Sequence, residues 1–102
     1  MLKEEKYYFV YIATNHPRYT VLYTGITNNI FERQKQHEYK INKNSFTARY
    51  NINRVVHYET YNESIVAIGR EKQIKSWSRQ RKERLIDKYN PEWKDMIEES
   101  LK

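Results

Sequence analysis

Apolar and polar positions alternate with period two in two early runs and again near the middle of the chain. Tyr7 to Thr14 and Thr20 to Ile26 are rich in tyrosine and β-branched residues, which fit a pleated, half-buried surface. Asn15, His16 and Pro17 stand between them, and Pro17, which cannot donate to a ladder, belongs in the connection. The two runs therefore predict an antiparallel hairpin. Successive side chains point to opposite faces, so Phe9, Tyr11 and Ala13 share one face, as do Val21, Tyr23 and Gly25 on the second strand. The hairpin can bring Tyr11 and Tyr23 together, with the register left open. Arg54 to Tyr61, RVVHYETY, reads as a third strand in which Val56 and Tyr58 alternate with Val55, His57 and Glu59.

Elsewhere the period is helical. A helix is predicted from Asn29 to Ile41, with Thr27 and Asn28 as N-caps and Ile30, Gln34, His37 and Ile41 along a thin apolar stripe. Residues 42–53, NKNSFTARYNIN, read as a loop, with Phe46 as a core anchor. Asn62 is expected to cap a helix from Glu63 to Ser76 whose buried sides carry Ile65, Ala67, Ile68 and Ile74. Ser78 is the expected N-cap of a helix to Tyr89, with Leu85, Ile86 and Tyr89 inward. Asn90-Pro91 stops that helix and starts another, where Trp93, Met96, Ile97 and Leu101 form an amphipathic stripe that packs back on the domain. The order strand–strand–helix–strand–helix implies an α/β fold of the α+β type: a small three-stranded antiparallel sheet flanked by helices.

Composition narrows the function classes. The 102 residues predict one domain with a small core, in which tyrosine carries much of the burial. Without cysteine there are no disulfides or thiolate metal sites. No run is long enough to span a bilayer, and no secretory signal is visible, so the default location is cytoplasmic. A net charge of +6 and a pI near 9.5 point to a polyanion, nucleic acid first and an acidic membrane surface second. From Arg70 to Arg84 there are seven basic and two acidic residues, whereas residues 92–102 carry four acids and two lysines. Arg70, Lys72, Lys75, Arg79, Arg81 and Lys82 form this candidate patch, and Lys43 and Arg49 could meet phosphates from the loop. Tyr50 there could stack on a base. The alternative for such a run is a solvated helix face.

FVYI around Tyr11, YTG at Tyr23 to Gly25, TNNIFERQKQH, REKQIKSWSRQRKE and YNPEW together resemble the GIY-YIG nuclease superfamily over nearly the whole chain. The likeness is to its small stand-alone bacterial type, and also to intron homing endonucleases and the N-terminal nuclease domain of an excinuclease. Where the family name has Gly-Ile, this chain has Phe9-Val10, with Tyr11 retained. The resemblance implies a metal-dependent endonuclease acting on DNA, with RNA left open, structure-specific or weakly sequence-specific and of use in repair or processing. It implies Mg²⁺ (or Mn²⁺), weakly held without substrate, because one carboxylate is a sparse site. Glu71 becomes the metal-binding glutamate; read from the residues alone, it is equally a salt-bridge partner for a basic neighbour. Arg33 becomes the phosphate clamp rather than a solvated helical charge, and His37, one turn later, could accept or pass on a proton. Tyr11 becomes the base or water-orienting phenol, with Tyr23 in a hydrogen-bonded relay. Gly25 serves a close approach or simply ends a strand, and Asn90 is a functional Asn or a helix cap. The rival is a nucleic-acid-binding module that keeps this fold without turnover.

Overall fold

A computed structural model of the chain describes residues 6–38 and 46–97. The strands are β1 (Tyr8–Thr14), β2 (Leu22–Thr27) and β3 (Arg54–Tyr61). They form one antiparallel sheet in the order β2-β1-β3, so the central strand carries Tyr11. The expected fold class is therefore observed. The helices are α1 (Ile30–Glu38), α2 (Phe46–Arg49), α3 (Ser64–Lys75) and α4 (Arg79–Tyr89). None of the described helices is long and apolar enough to cross a membrane.

The hairpin turn is built by Asn15. Its Oδ1 accepts from the Val21 N–H at 2.8 Å and its Nδ2 donates to Thr20 Oγ1 at 2.7 Å. The Val21 N–H is thereby taken by a side chain instead of a ladder partner, and β2 begins at Leu22 rather than at Thr20. Arg79 fastens α4 to the same turn, donating to the carbonyls of Tyr19 and Thr20 at 2.6 and 2.7 Å.

The sheet has two apolar faces. Val10, Ile12 and Val56 bury against Ala67 and Ile74 of α3 and Ile86 of α4. Tyr11, Ala13 and Val55 bury with Ile30 of α1, Ile52 and Ile97, and Phe9, Val21, Tyr23 and Tyr58 pack around them. The predicted shared faces of the hairpin are thus present, but β3 departs from simple alternation. Ile12 pairs with His57 and Ala13 with Val55, which leaves an extra residue at Val56. This bulge puts Val55 and Tyr58 on the Tyr11 face and Val56 on the opposite one, so Val56 and Tyr58 do not share a face.

Several helix boundaries are corrected. Asn29, not Thr27 or Asn28, caps α1: its Oδ1 accepts from the Glu32 N–H at 3.1 Å, while Thr27 Oγ1 accepts from the Asn29 N–H. Residues 46–49, expected to be loop, form α2. Asn62 does not cap α3; Glu63 stands at that position and makes no side-chain cap bond. Ser78 does cap α4, accepting from the Arg81 N–H at 3.2 Å. Only Ala67 and Ile74 of α3 are buried, and Ile65 is 82% exposed, with Ile68 and the α4 residue Tyr89 also exposed. A helix lying on one face of a sheet buries a single stripe, and Ile65 and Ile68 fall outside it.

No helix starts at Pro91. Residues 91 and 92 form a turn, Trp93 has φ 55°, and the chain is next helical at Met96 and Ile97. Asn90 is instead the C-cap residue of α4 and is buried. Its Nδ2 donates to the carbonyls of Val56 and Lys94, both at 2.9 Å, and its Oδ1 accepts from the Lys94 N–H at 3.1 Å. Asn90→Ala leaves these backbone groups unpaired and should cost about 2–3 kcal/mol in urea unfolding, with an unchanged m-value. Ile41 and Leu101 lie outside the described residues, and the Phe46 side chain lies outside the description as well.

Candidate active site

Tyr11 sits at the centre of the middle strand, opposite Gly25 on one side and Tyr58 on the other. It is fully buried, and its ring lies across Gly25. A Cβ at Gly25 would stand 2.5 Å from both Tyr11 Cζ and Oη. No glycine in the described chain has a positive φ, so close approach is what position 25 requires, and of the two readings of Gly25 the close approach is the one observed.

The Tyr11 hydroxyl meets two other groups singled out in the sequence. It is within side-chain hydrogen-bonding reach of Arg33 from α1 and of Tyr23 from β2. The Tyr11 and Tyr23 rings stand 6.1 Å apart at 45°. Their faces follow from the register: Tyr23 pairs with Ala13, two residues along β1 from Tyr11, so both phenols stand on the α1 side of the sheet. Burial raises the pKa of Tyr11 well above the ordinary phenol value, the neighbouring Tyr23 adds to this, and the Arg33 guanidinium opposes it. At neutral pH Tyr11 is therefore a phenol, able to donate a hydrogen bond, and not a phenolate.

The turn of α1 that carries Arg33 is tied to the sheet by the next residue. Gln34 is buried; its Nε2 donates to Asp95 at 2.7 Å and its Oε1 accepts from the Val55 N–H at 3.0 Å. Sequence reasoning placed Gln34 on an apolar stripe without giving it a task. A polar residue on a buried stripe was the available signal, because such a side chain needs partners. Beside Arg33 lies an open cleft of about 100 Å³ lined also by Thr27, Asn28, Asn29, Glu32 and Gln36. His37 lies on α1, but its side chain lies outside the description.

Glu71 comes from the other side of the sheet. It follows Ala67 by one turn and precedes Ile74 by three residues, on the helix that covers the Val10–Ile12 face. Its side chain is 13% exposed and accepts an ion pair from Lys75 at 2.7 Å, which is the salt-bridge alternative expected for it. The structure thus joins Tyr11, Tyr23 and Arg33 and sets Glu71 on a separate element. Asn90 is placed in the α4 cap and not among these groups.

The basic run is partly consumed by the fold. Arg70 donates twice to Glu59, at 2.8 and 3.0 Å, and once to Gln73. Arg81 lies 4.2 Å from the Trp77 ring centre and Arg70 lies 5.0 Å from it. Lys75 pairs with Glu71, and Arg79 with Glu83 at 3.4 Å as well as with the hairpin turn. Burial and the neighbouring Lys75 lower the pKa of Lys82. Lys72 is exposed, and so is Arg49, which lies 6.0 Å from the Tyr50 ring centre. Lys43 lies outside the described residues.

Comparison with curated proteins and with solved structures gave no match. The family model for the GIY-YIG catalytic domain matches residues 7–91, from the strand that carries Tyr11 to the turn beyond α4. A match of that extent makes this chain a member of the GIY-YIG family, with a nuclease-type function.

Proposed function

We propose that the chain is a metal-dependent endonuclease hydrolysing phosphodiester bonds in DNA, with the Tyr11–Tyr23–Arg33 group at its active centre. The observation that carries this is the buried Tyr11 hydroxyl within hydrogen-bonding reach of a second phenol and of Arg33, whose guanidinium side chain also lines an open cleft. Arg33 stays charged at any working pH and matches phosphate oxygens with its fork of donors. Tyr11, kept protonated by burial, orients the attacking water, and Tyr23 fixes the direction of the Tyr11 hydroxyl. A neutral phenol cannot draw the proton off that water, so the proton leaves to solvent or to His37.

The donor chemistry fits a hard cation. Among the described residues no three His, Asp or Glu side chains stand together as a metal cage. Mg²⁺ suits such a site, since it keeps most of its waters and takes phosphate oxygens as further ligands. Glu71 would hold it, in exchange for the Lys75 ion pair. The bound ion supplies charge stabilisation at the leaving oxygen. The proposal requires Glu71 to serve the same phosphate as Arg33, reaching it past β2, the edge strand on which α3 also packs.

A nicking assay on duplex, flap and single-stranded DNA with Mg²⁺ tests this. Wild type should cut, Arg33→Ala should be slower by about 100-fold or more, and Glu71→Gln should lose cleavage while keeping salt-sensitive binding. Equal cutting by wild type and Arg33→Ala would sink the assignment. Binding by all three proteins without any cutting would leave the rival, a nucleic-acid-binding module.

A further inference from the structure

Two open clefts flank the start of α1 and meet at Asn28 and Asn29. The smaller contains Arg33. The larger, about 460 Å³, is lined by Tyr7, Phe31 and Lys6 among others. Tyr7 and Phe31 are 44% and 45% exposed. Phe31 is not among the residues of either core cluster; Ile30 and Gln34 occupy the buried stripe of α1. Asn29 Oδ1 is engaged as a helix cap, and its amide reaches Glu32 at 3.5 Å, whereas Asn28 is exposed at the junction of the clefts.

Half-exposed aromatic rings on a cleft wall beside a phosphate-binding guanidinium have the makeup of a single-strand site, in which bases stack while cations track the backbone. We propose that the larger cleft is a nucleobase subsite, taking one unstacked base of the strand whose phosphate lies on Arg33. Phe31 and Tyr7 supply the stacking surface, the Asn28 amide meets a base edge, and Lys6 meets a flanking phosphate. The net charge of +6 favours a polyanion over an apolar ligand there, and Asn28 and Asn29, which line both clefts, set this one next to the Arg33 site. This rests on the reading of Arg33 as a phosphate ligand. It specifies the substrate class: a single strand, a flap or a duplex with a displaced base, since a base within a regular stack cannot enter the cleft.

The test is equilibrium binding of a short single-stranded DNA containing 2-aminopurine, without divalent metal so that nothing is cut. Wild type should quench the 2-aminopurine fluorescence. Phe31→Leu and Tyr7→Ala should each lose most of the quenching and about tenfold in affinity, and Phe31→Tyr should restore both. Circular dichroism of Phe31→Leu should match wild type. With an abasic residue in place of the fluorescent base, wild type and Phe31→Leu should bind equally. Unquenched 2-aminopurine at saturation, or equal affinity of wild type and Phe31→Leu for the intact strand, overturns the proposal. Arg33→Ala separates the two readings, because it should weaken intact and abasic strands alike. If it weakens neither while Phe31→Leu still matters, the phosphate assignment fails and the base subsite stands.

Discussion

Gly25→Ala should lower DNA cleavage by about 100-fold, the scale of misplacing a group that orients the reacting atoms. One methyl group does this because the added Cβ falls 2.5 Å from Tyr11 Cζ and Oη and 2.9 Å from Cε1. Neither side can yield cheaply: Gly25 lies within a strand paired to β1, and the Tyr11 ring is fully enclosed. The ring must tilt, and its hydroxyl then leaves Arg33 and Tyr23. Forcing a methyl into a filled space costs about 1–3 kcal/mol, which for a domain of this size lowers Tm by about 5–15 °C. The steric origin is checked by a double-mutant cycle. In a Tyr11→Ala background, Gly25→Ala should cost little further stability, so the two changes should be strongly non-additive. Full additivity would mean that the ring and the glycine do not meet.

Glu59→Gln should produce the largest loss of stability outside the site. Burial pushes the Glu59 carboxyl up, but hydrogen bonds from His57, Arg70 and Tyr61 together with the Arg70 charge outweigh it, and the group is held well below the usual carboxylate range. The bonds are short: His57 Nε2–H at 2.8 Å, Tyr61 O–H at 2.6 Å and the Arg70 fork at 2.8 and 3.0 Å. Glu59 and Arg70 are 19% and 24% exposed, so solvent screens them only in part. At pH 7 the variant should be less stable by about 2–4 kcal/mol. The sign of the pH effect follows from linkage. A carboxyl with a depressed folded-state pKa contributes stability above its unfolded value, near 4.5, and loses it as pH falls below that. Wild type should therefore lose stability steeply below about pH 5, and Glu59→Gln should show a flatter acid limb in urea unfolding. At the alkaline end Tyr61, pushed up to about 12 by burial and by Glu59, gives the opposite slope. Its contribution is complete below the ordinary phenol value and fades as pH rises through about 12.

The parts of the fold legible in the sequence were those set by period and by local chemistry. RVVHYETY reads as a strand and is one, from Arg54 to Tyr61. Two tyrosines on matching faces of a hairpin do meet, and Ser78 does cap a helix. What escaped depends on long-range partners. Nothing in VVHY marks an extra residue opposite Ile12, because a bulge is a property of the pair of strands. Ile65 and Ile68 look like core until the single stripe that α3 presents to the sheet is known. Asn90-Pro91 fits a helix start well, but the buried amide of Asn90 bonds to β3 and Lys94 instead. Arg70 counted as a phosphate ligand from its place in a basic run, yet its fork closes on Glu59, eleven residues earlier in the chain. The approach of Tyr11, Tyr23 and Arg33 to one another was legible from the spacing of the two tyrosine motifs and the helix that follows. The exposure of Phe31 and Tyr7 was not, since exposure of an aromatic ring is decided by what covers it.

The irregularity in β3 bears on substrate handling. The Val55 amide, beside the extra residue, bonds to Gln34, the residue next to Arg33. The sheet thereby sets the azimuth of the first turns of α1 and, with it, the aim of the guanidinium. A shift of β3 by one residue would exchange the faces on which Val55 and Val56 bury and withdraw that amide, so the packing of the core and the aim of the cation are set by one register.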